Sequence, residues 1–237
     1  SLVFGRYRLQ RVLGRGGMGV VWLAVDTKLE RAVALKFLPD IIGADPAALK
    51  ELKDETRRGL ELAHPNIVRI YDFVDDEEAA AISMEFVDGK SLAERRVAKP
   101  QQVFSVEELG PWVGQMCDAL DYAHQQKRIV HRDLKPANLM VNSESQLKIT
   151  DFGIARSVTD TMSRLSRTAH HGTSGTLLYM SPQQAMGDRP RPTDDVYALG
   201  ATLYELLTGK PPFYSGDITM QITAKTPPPL KQRREEL

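Results

Sequence analysis

The sequence predicts an α+β fold of two lobes, on three observations. Strand-forming residues crowd the first forty positions, one capped helix interrupts them, and beyond residue 105 the apolar spacing turns helical. Residues 7–13, 20–25 and 32–38 are rich in β-branched and aromatic types and read as strands, parted by a glycine-rich turn and by Asp26-Thr-Lys28. Asp45-Pro46 is a helix start, because the carboxylate accepts from free backbone N–H groups and proline gives up no needed donor in the first turn. Leu49, Leu52 and Leu60 carry this long helix to a stop at His64-Pro65. Strands around residues 67–73 and 80–86 complete a five-stranded lobe, and the turn at Val87-Asp-Gly89 divides the chain into residues 1–87 and 88–237.

The second lobe reads as mainly helical. Ser105 and Glu108 form a capping box, after which Leu109, Trp112, Val113, Met116, Leu120 and Ala123 line one face. Pro111 predicts a distorted first turn or a later start, since its ring removes a donor. A further helix spans residues 194–207, with Val196, Leu199, Leu203, Leu206 and Leu207 apolar and Gly209 as its stop. Thr226-Pro-Pro-Pro229 is loop.

With 31 basic and 31 acidic side chains, the chain has no net field to draw nucleic acid or an anionic membrane. A single cysteine, Cys117, excludes an internal disulfide framework and a Cys-rich zinc site, which fits a reducing compartment, the cytoplasm. No run approaches the roughly 20 apolar residues that cross a bilayer, so no membrane segment is expected in this chain. A parent protein anchored through other segments is compatible with that.

Three stretches carry chemistry. Gly14-Arg-Gly16-Gly-Met-Gly19 is a G-x-G-x-x-G pattern, which alone fits a dinucleotide fold, a phosphate loop or a plain hairpin turn. A dinucleotide fingerprint opens a helix, whereas here a strand follows, making a strand-turn-strand flap whose backbone N–H groups can approach phosphate. Val33-Ala-Leu-Lys36 sets a lysine in an apolar strand. A buried ammonium is costly unless paired, so Lys36 calls for Glu51, Asp54 or Glu55 as partner, or for a head group that reaches water from an edge strand. His131-Arg-Asp133-Leu-Lys135-Pro-Ala-Asn138 is followed, across Leu147-Lys-Ile149, by Asp151-Phe-Gly153. These carboxylates and the amide are the hard oxygen donors that Mg²⁺ takes together with phosphate and water. Singly, each is equally a turn residue or an ion pair. In this order, behind a glycine flap and a strand lysine, they describe a phosphoryl-transfer site.

On these motifs the sequence resembles the eukaryotic-type protein kinases from about Tyr7 to Phe213, and among them the bacterial serine/threonine branch. The resemblance implies a protein-kinase-like bilobal fold with an antiparallel N-terminal sheet, and ATP with Mg²⁺, or Mn²⁺ in its place, as cofactors. It implies that Gly14, Gly16 and Gly19 cover the ATP phosphates, while Lys36 holds the α and β phosphates and pairs with a helix glutamate. That glutamate is assigned to Glu55 by its distance before His64-Pro65, and Asp54 points to another face. Val21, Ala34 and Met140 take the positions of the adenine sandwich. Met84-Glu85-Phe-Val87 takes that of the hinge whose backbone pairs the adenine edge, and all of these would also serve as core. Asp133 would orient the substrate hydroxyl and accept its proton, Lys135 would neutralise the moving phosphoryl group, and Asn138 with Asp151 would hold metal. Lys135 and the Gly175-Thr176 pair ahead of Tyr179 imply protein substrates with serine or threonine acceptors. Arg132 implies pairing with a phosphorylated residue of an activation loop, residues 157–176. Thr168, Thr173 and Thr176 are candidates there, with Thr168 the expected phosphosite and self-association a route to its phosphorylation in trans.

Three features depart from the family pattern. Ser181-Pro-Gln183 puts an amide where the family has a glutamate, so an ion pair to a later arginine becomes at best a neutral hydrogen bond. The chain ends soon after Lys210-Pro-Pro-Phe213, so the second lobe reads as incomplete, which would expose apolar faces of the 194–207 helix. Gly59, one turn after Glu55, would leave space beside Phe152 and make its helix easy to displace, predicting a basally inactive form with Lys36 and Glu55 apart. The alternative reading is a pseudokinase or nucleotide-binding signalling scaffold, against which Lys36, Asp133, Asn138 and Asp151 are all present.

Overall fold

The computed structural model describes residues 2–16, 19–152, 175 and 177–237. They fall into two compact units, one of the described residues up to Asp88 and one of those from Gly89 onward.

The first unit is a five-stranded antiparallel sheet with two helices. Its strands are β1 (Tyr7–Gly16), β2 (Gly19–Asp26), β3 (Arg31–Phe37), β4 (Ile70–Asp75) and β5 (Ala80–Glu85), in the order β1-β2-β3-β5-β4. Between β3 and β4 run α1 (Asp40–Gly43) and α2 (Pro46–Gly59). The central strand β3 is buried on both faces, as its unbroken Ala-Val-Ala-Leu run requires. Val33 and Leu35 pack with Tyr7, Ala24 and Ala81 on one side, and Ala34 joins Ile70, Ile82, Met84 and the helix residues Ile42, Ala48 and Leu52 on the other. Lys36 shares the alternation of Ala34, which is why it is buried. At one end of the sheet, Arg6 pairs with Asp26 at 2.7 Å and Asp72 at 3.0 Å, and the guanidinium holds the Asp26 carboxyl below its ordinary value.

Asp45 caps α2 as its sequence signature predicts, its Oδ1 accepting from Ala47 N at 2.8 Å and Ala48 N at 3.0 Å. Such a cap contributes about 1 kcal/mol. The helix ends at Gly59, short of His64-Pro65. The turn that follows buries Leu62 and Ile67 and leaves Leu60 exposed, so the end is set by packing beyond the helix. Gly59 leaves no gap. A Cβ there would lie 2.5 Å from Ile70 Cδ1, because the isoleucine fills the space that the missing side chain vacates.

The second unit holds a small antiparallel sheet, β6 (Gly89–Ser91), β7 (Leu139–Asn142) and β8 (Leu147–Ile149), among helices. These are α3 (Leu92–Val97), α4 (Val106–Asp121), α5 (Pro182–Ala185), α6 (Pro192–Thr208) and α7 (Ile218–Ala224). The Ser105–Glu108 box is formed, with Glu108 N donating to Ser105 Oγ at 3.2 Å and Ser105 N to Glu108 Oε2 at 2.8 Å. Pro111 neither delays nor displaces the start of α4. The acceptor it deprives is the carbonyl of Glu107, in an exposed first turn where water can serve. The helix runs on as a π-helical turn, Tyr122–Lys127, closed by Arg128 at φ 56.

Helix α6 differs from its predicted face. Val196 is 63% exposed, and the buried side carries Asp194, Asp195, Thr202 and Glu205 beside Ala198, Ala201 and Leu206. Asp195 meets backbone donors of the loop at His131 and Arg132, Asp194 the Ser181 hydroxyl, and Glu205 the Tyr179 hydroxyl and Arg96, so polar residues win those positions. Gly209, at φ 86, ends it with its N–H on the carbonyl of Glu205 at 2.7 Å. Among the described residues, no helix is long and apolar enough to cross a membrane.

Candidate active site

In the first unit the glycine turn joins β1 to β2, with Gly14 opposite Val21 and Gly16 opposite Gly19. Its glycines differ in kind. Gly19 has φ 110, and a Cβ there would lie 1.9 Å from the carbonyl oxygen of Phe37, so the fold itself demands glycine. At Gly14 and Gly16 a Cβ would meet nothing within 4 Å, and both are exposed. The fold has no need of glycine at these two, and their bare backbone leaves room for a phosphate to come close, so the turn fits a nucleotide.

Lys36, 4% exposed, stands on β3 opposite Val21 on one side and Ile82 on the other. Ala34 faces Met84 across β3 and β5, and Val21, Ala34, Met84 and Val87 belong to one apolar cluster. Glu85 N donates to Arg69 O at 2.8 Å and its Oε2 accepts from Arg69 N at 3.2 Å, fixing the end of β5. Glu55 is half-buried on α2 and makes no ion pair among the described residues, while Asp54 pairs with Arg57 at 3.0 Å on the surface.

In the second unit Asp133, Lys135 and Asn138 come together. The Asp133 carboxylate is 4% exposed. Lys135 Nζ lies 3.0 Å from its Oδ1 and 2.8 Å from its Oδ2, and Asn138 Nδ2 donates to its Oδ2 at 3.1 Å and to its backbone carbonyl at 2.8 Å. With Nδ2 committed to Asp133, the Asn138 amide keeps Oδ1 for a cation. That oxygen and the Asp151 carboxylate are of the hard type that suits a divalent metal sharing its shell with phosphate. Asp151 follows β8 at φ 64, and Arg132 precedes Asp133 at φ 70. Two non-glycine residues in the left-handed region beside a carboxylate cluster mark a loop held in shape by its surroundings. Met140, half-buried on β7, lies opposite Lys148 and Ser91.

The surroundings are hydrogen bonds. His131 is buried, with its Nδ1 accepting from Asp133 N at 3.1 Å and its Nε2 then donating to Thr150 O at 2.8 Å; its ring meets Phe152 edge-on at 4.6 Å. Asp195, 0% exposed, accepts from His131 N at 2.7 Å and Arg132 N at 2.9 Å, and its Oδ2 lies 2.7 Å from His124 Nε2. Tyr179 donates its hydroxyl to Glu205, which pairs with Arg96 at 3.0 Å. Burial and that carboxylate push the Tyr179 hydroxyl well above its ordinary range.

Gln183, where the family has glutamate, is exposed. The segment is tied down instead by its neighbours, Ser181 Oγ donating to Asp194 Oδ1 at 2.5 Å and Gln184 Nε2 to Arg132 O at 2.7 Å. Sequence reasoning misses Asp195 and Gln184. The one signal for the former is a pair of adjacent carboxylates opening an otherwise apolar helix. Thr168, Thr173 and Thr176 lie outside the described residues.

A buried carboxylate bridged by lysine and asparagine, next to hard oxygen donors, is the equipment of a phosphotransferase. The chain belongs to the protein kinase domain family, whose pattern it matches over residues 7–234; the family uses ATP and a divalent metal. It is 39% identical to the serine/threonine-protein kinase PknB of Mycobacterium leprae over 97% of this chain, and 37% identical to PknB of Mycolicibacterium smegmatis over 98%. Each alignment covers 37% of the relative, so the chain spans little more than a third of their length. Among solved structures, the PknI kinase domain of Mycobacterium tuberculosis superposes with a TM-score of 0.77 at 28% identity, over 100% of this chain and 85% of that one.

Proposed function

We propose that this chain is a serine/threonine kinase domain, residues 1–87 and 88–237 forming its two lobes, that moves the γ-phosphoryl group of Mg-ATP to hydroxyls of protein substrates. The observation that carries this reading is the Asp133 carboxylate held between Lys135 and Asn138. Gly14 and Gly16 would offer backbone N–H groups to the phosphates, and Lys36 would hold the α and β phosphates. Val21, Ala34, Met84, Val87 and Met140 would enclose the adenine, with the backbone at Glu85 on its polar edge. Asn138 Oδ1 and Asp151 would hold Mg²⁺, or Mn²⁺ in its place, which neutralises charge on the phosphates. Asp133 would align the acceptor hydroxyl and take up its proton, a role worth about 10²–10⁴ in rate, and Lys135 would balance the charge of the moving phosphoryl group.

Glu55 would be the partner of Lys36 in the active form, and its having no ion pair among the described residues fits a basal form awaiting a signal. Arg132 would receive a phosphorylated residue of the activation loop, with Thr168 foremost and Thr173 and Thr176 as alternatives, phosphorylated by a second copy of the domain. The domain would act on the cytoplasmic side, whether or not segments outside this chain anchor the parent protein to a membrane.

The test is autophosphorylation with Mg-ATP, with sites mapped by mass spectrometry and Asp133→Asn alongside. Phosphate confined to serine and threonine, present on Thr168 and absent from the variant, is the expected outcome. ATP binding with no incorporation at high enzyme concentration would instead favour a scaffold.

A further inference from the structure

The peptide that joins Arg132 to Asp133 is gripped from outside the catalytic loop. Arg132 sits at φ 70, which a non-glycine residue holds only when its neighbours fix it. The peptide before it is held too, since the Arg132 N–H donates to Asp195 Oδ1 at 2.9 Å, from α6. On the carbonyl side its C=O accepts from Gln184 Nε2 at 2.7 Å, from α5. Gln184 is 8% exposed. Its own backbone N–H donates to Ser181 Oγ at 3.0 Å, and Ser181 is bonded to Asp194, so the carboxamide is delivered by a short helix that is itself anchored. The other end of the same peptide, Asp133 N, is taken by His131 Nδ1 at 3.1 Å.

We propose that Gln184 is a positioning residue for phosphoryl transfer: its carboxamide fixes the Arg132–Asp133 peptide plane, and through it the direction of the Asp133 carboxylate. Without that N–H the Arg132 carbonyl would be a part-buried acceptor lacking its protein donor, and the cheapest remedy is rotation of the peptide, which swings Asp133 away from Lys135 and Asn138. Gln184 does not touch the reacting atoms. The proposal rests on the reading of Asp133 as the catalytic carboxylate.

Gln184→Met keeps length and burial but has no donor; Gln184→Glu keeps shape and sets a carboxylate against the carbonyl. Each is compared with the native chain and Asp133→Asn by steady-state phosphorylation, thermal melting and amide hydrogen exchange over residues 131–135. Gln184→Met should lower kcat about tenfold, the loss of one part-buried hydrogen bond, with KM for ATP and the melting temperature little changed and exchange faster in the loop. Gln184→Glu should lower kcat further. Native kcat and native exchange in Gln184→Met would overturn the proposal, as would a parallel collapse of kcat, KM and melting temperature, which marks a general loosening. If Asp133→Asn stays active, the reading of Asp133 fails, and exchange alone then decides whether Gln184 orders the loop.

Discussion

The glycine turn of the first unit and the Asp133 loop of the second carry their candidate chemistry in opposite ways. In the turn, Gly14 and Gly16 contribute bare exposed backbone, and nothing in the fold depends on their lacking a side chain. In the loop, buried or half-buried groups hold one another: Asp133 is met by Lys135 and Asn138, His131 by Thr150 and Asp133, and the backbone of His131 and Arg132 by Asp195. A region that works through open space can lose function while keeping stability. A region that works through satisfied polar groups loses both together where a shared acceptor such as Asp195 is removed, because several donors left without a partner destabilise the fold that aims the others.

Variants can break this contrast. The largest effect is expected for Asp195→Asn, which turns an acceptor of three donors into a mixed donor and acceptor. Stability in denaturant should fall by about 3–5 kcal/mol, with phosphoryl transfer lost. A fully stable Asp195→Asn would show that the loop stands without its anchor. Next comes Gly19→Ala, whose Cβ would press on the Phe37 carbonyl in a left-handed conformation. Thermal melting should report a loss of about 2–4 kcal/mol. Gly16→Ala sharpens the comparison from within the same turn. Its melting curve should be native, while ATP binding, followed by titration calorimetry, weakens about tenfold as one backbone contact to phosphate is lost. The smallest change is expected for Gly59→Ala. At this last helical position the gain in helix propensity is small and is offset by contact with the terminal methyl of Ile70, which can rotate away, so stability and turnover stay near native.

What was legible in the sequence was local. Strands β1 to β3 follow from β-branched and aromatic runs, β4 begins three residues after the stretch read for it, and the caps at Asp45 and Ser105 follow from side chains placed within three residues of the donors they satisfy. Ser91-x-x-Glu94 has the same capping signature, yet the six-residue α3 behind it is too short to display a period that would confirm it. The motif residues Asp133, Lys135 and Asn138 lie within one loop, so spacing alone brings them together. Asp195 reaches Arg132 from 63 residues away and Gln184 from 52, and no local pattern encodes either bond. The same blindness misplaced the buried face of α6. Apolar periodicity counts Val196 as core, whereas the neighbouring loop presents the N–H groups of His131 and Arg132, which Asp195 satisfies from the buried side. The end of α2 and the fate of the space at Gly59 depended on Leu62 and Ile70, residues beyond the helix whose packing no helix signal contains.

The most direct measurement of the central claim is ATP affinity and phosphoryl-transfer rate side by side in the native chain and Asp133→Asn. The variant preserves the shape of a buried side chain whose role is assigned to the transfer step alone. Native ATP affinity with turnover lowered about 10³-fold is the predicted result. Turnover close to native, or affinity and turnover lost together, would contradict it.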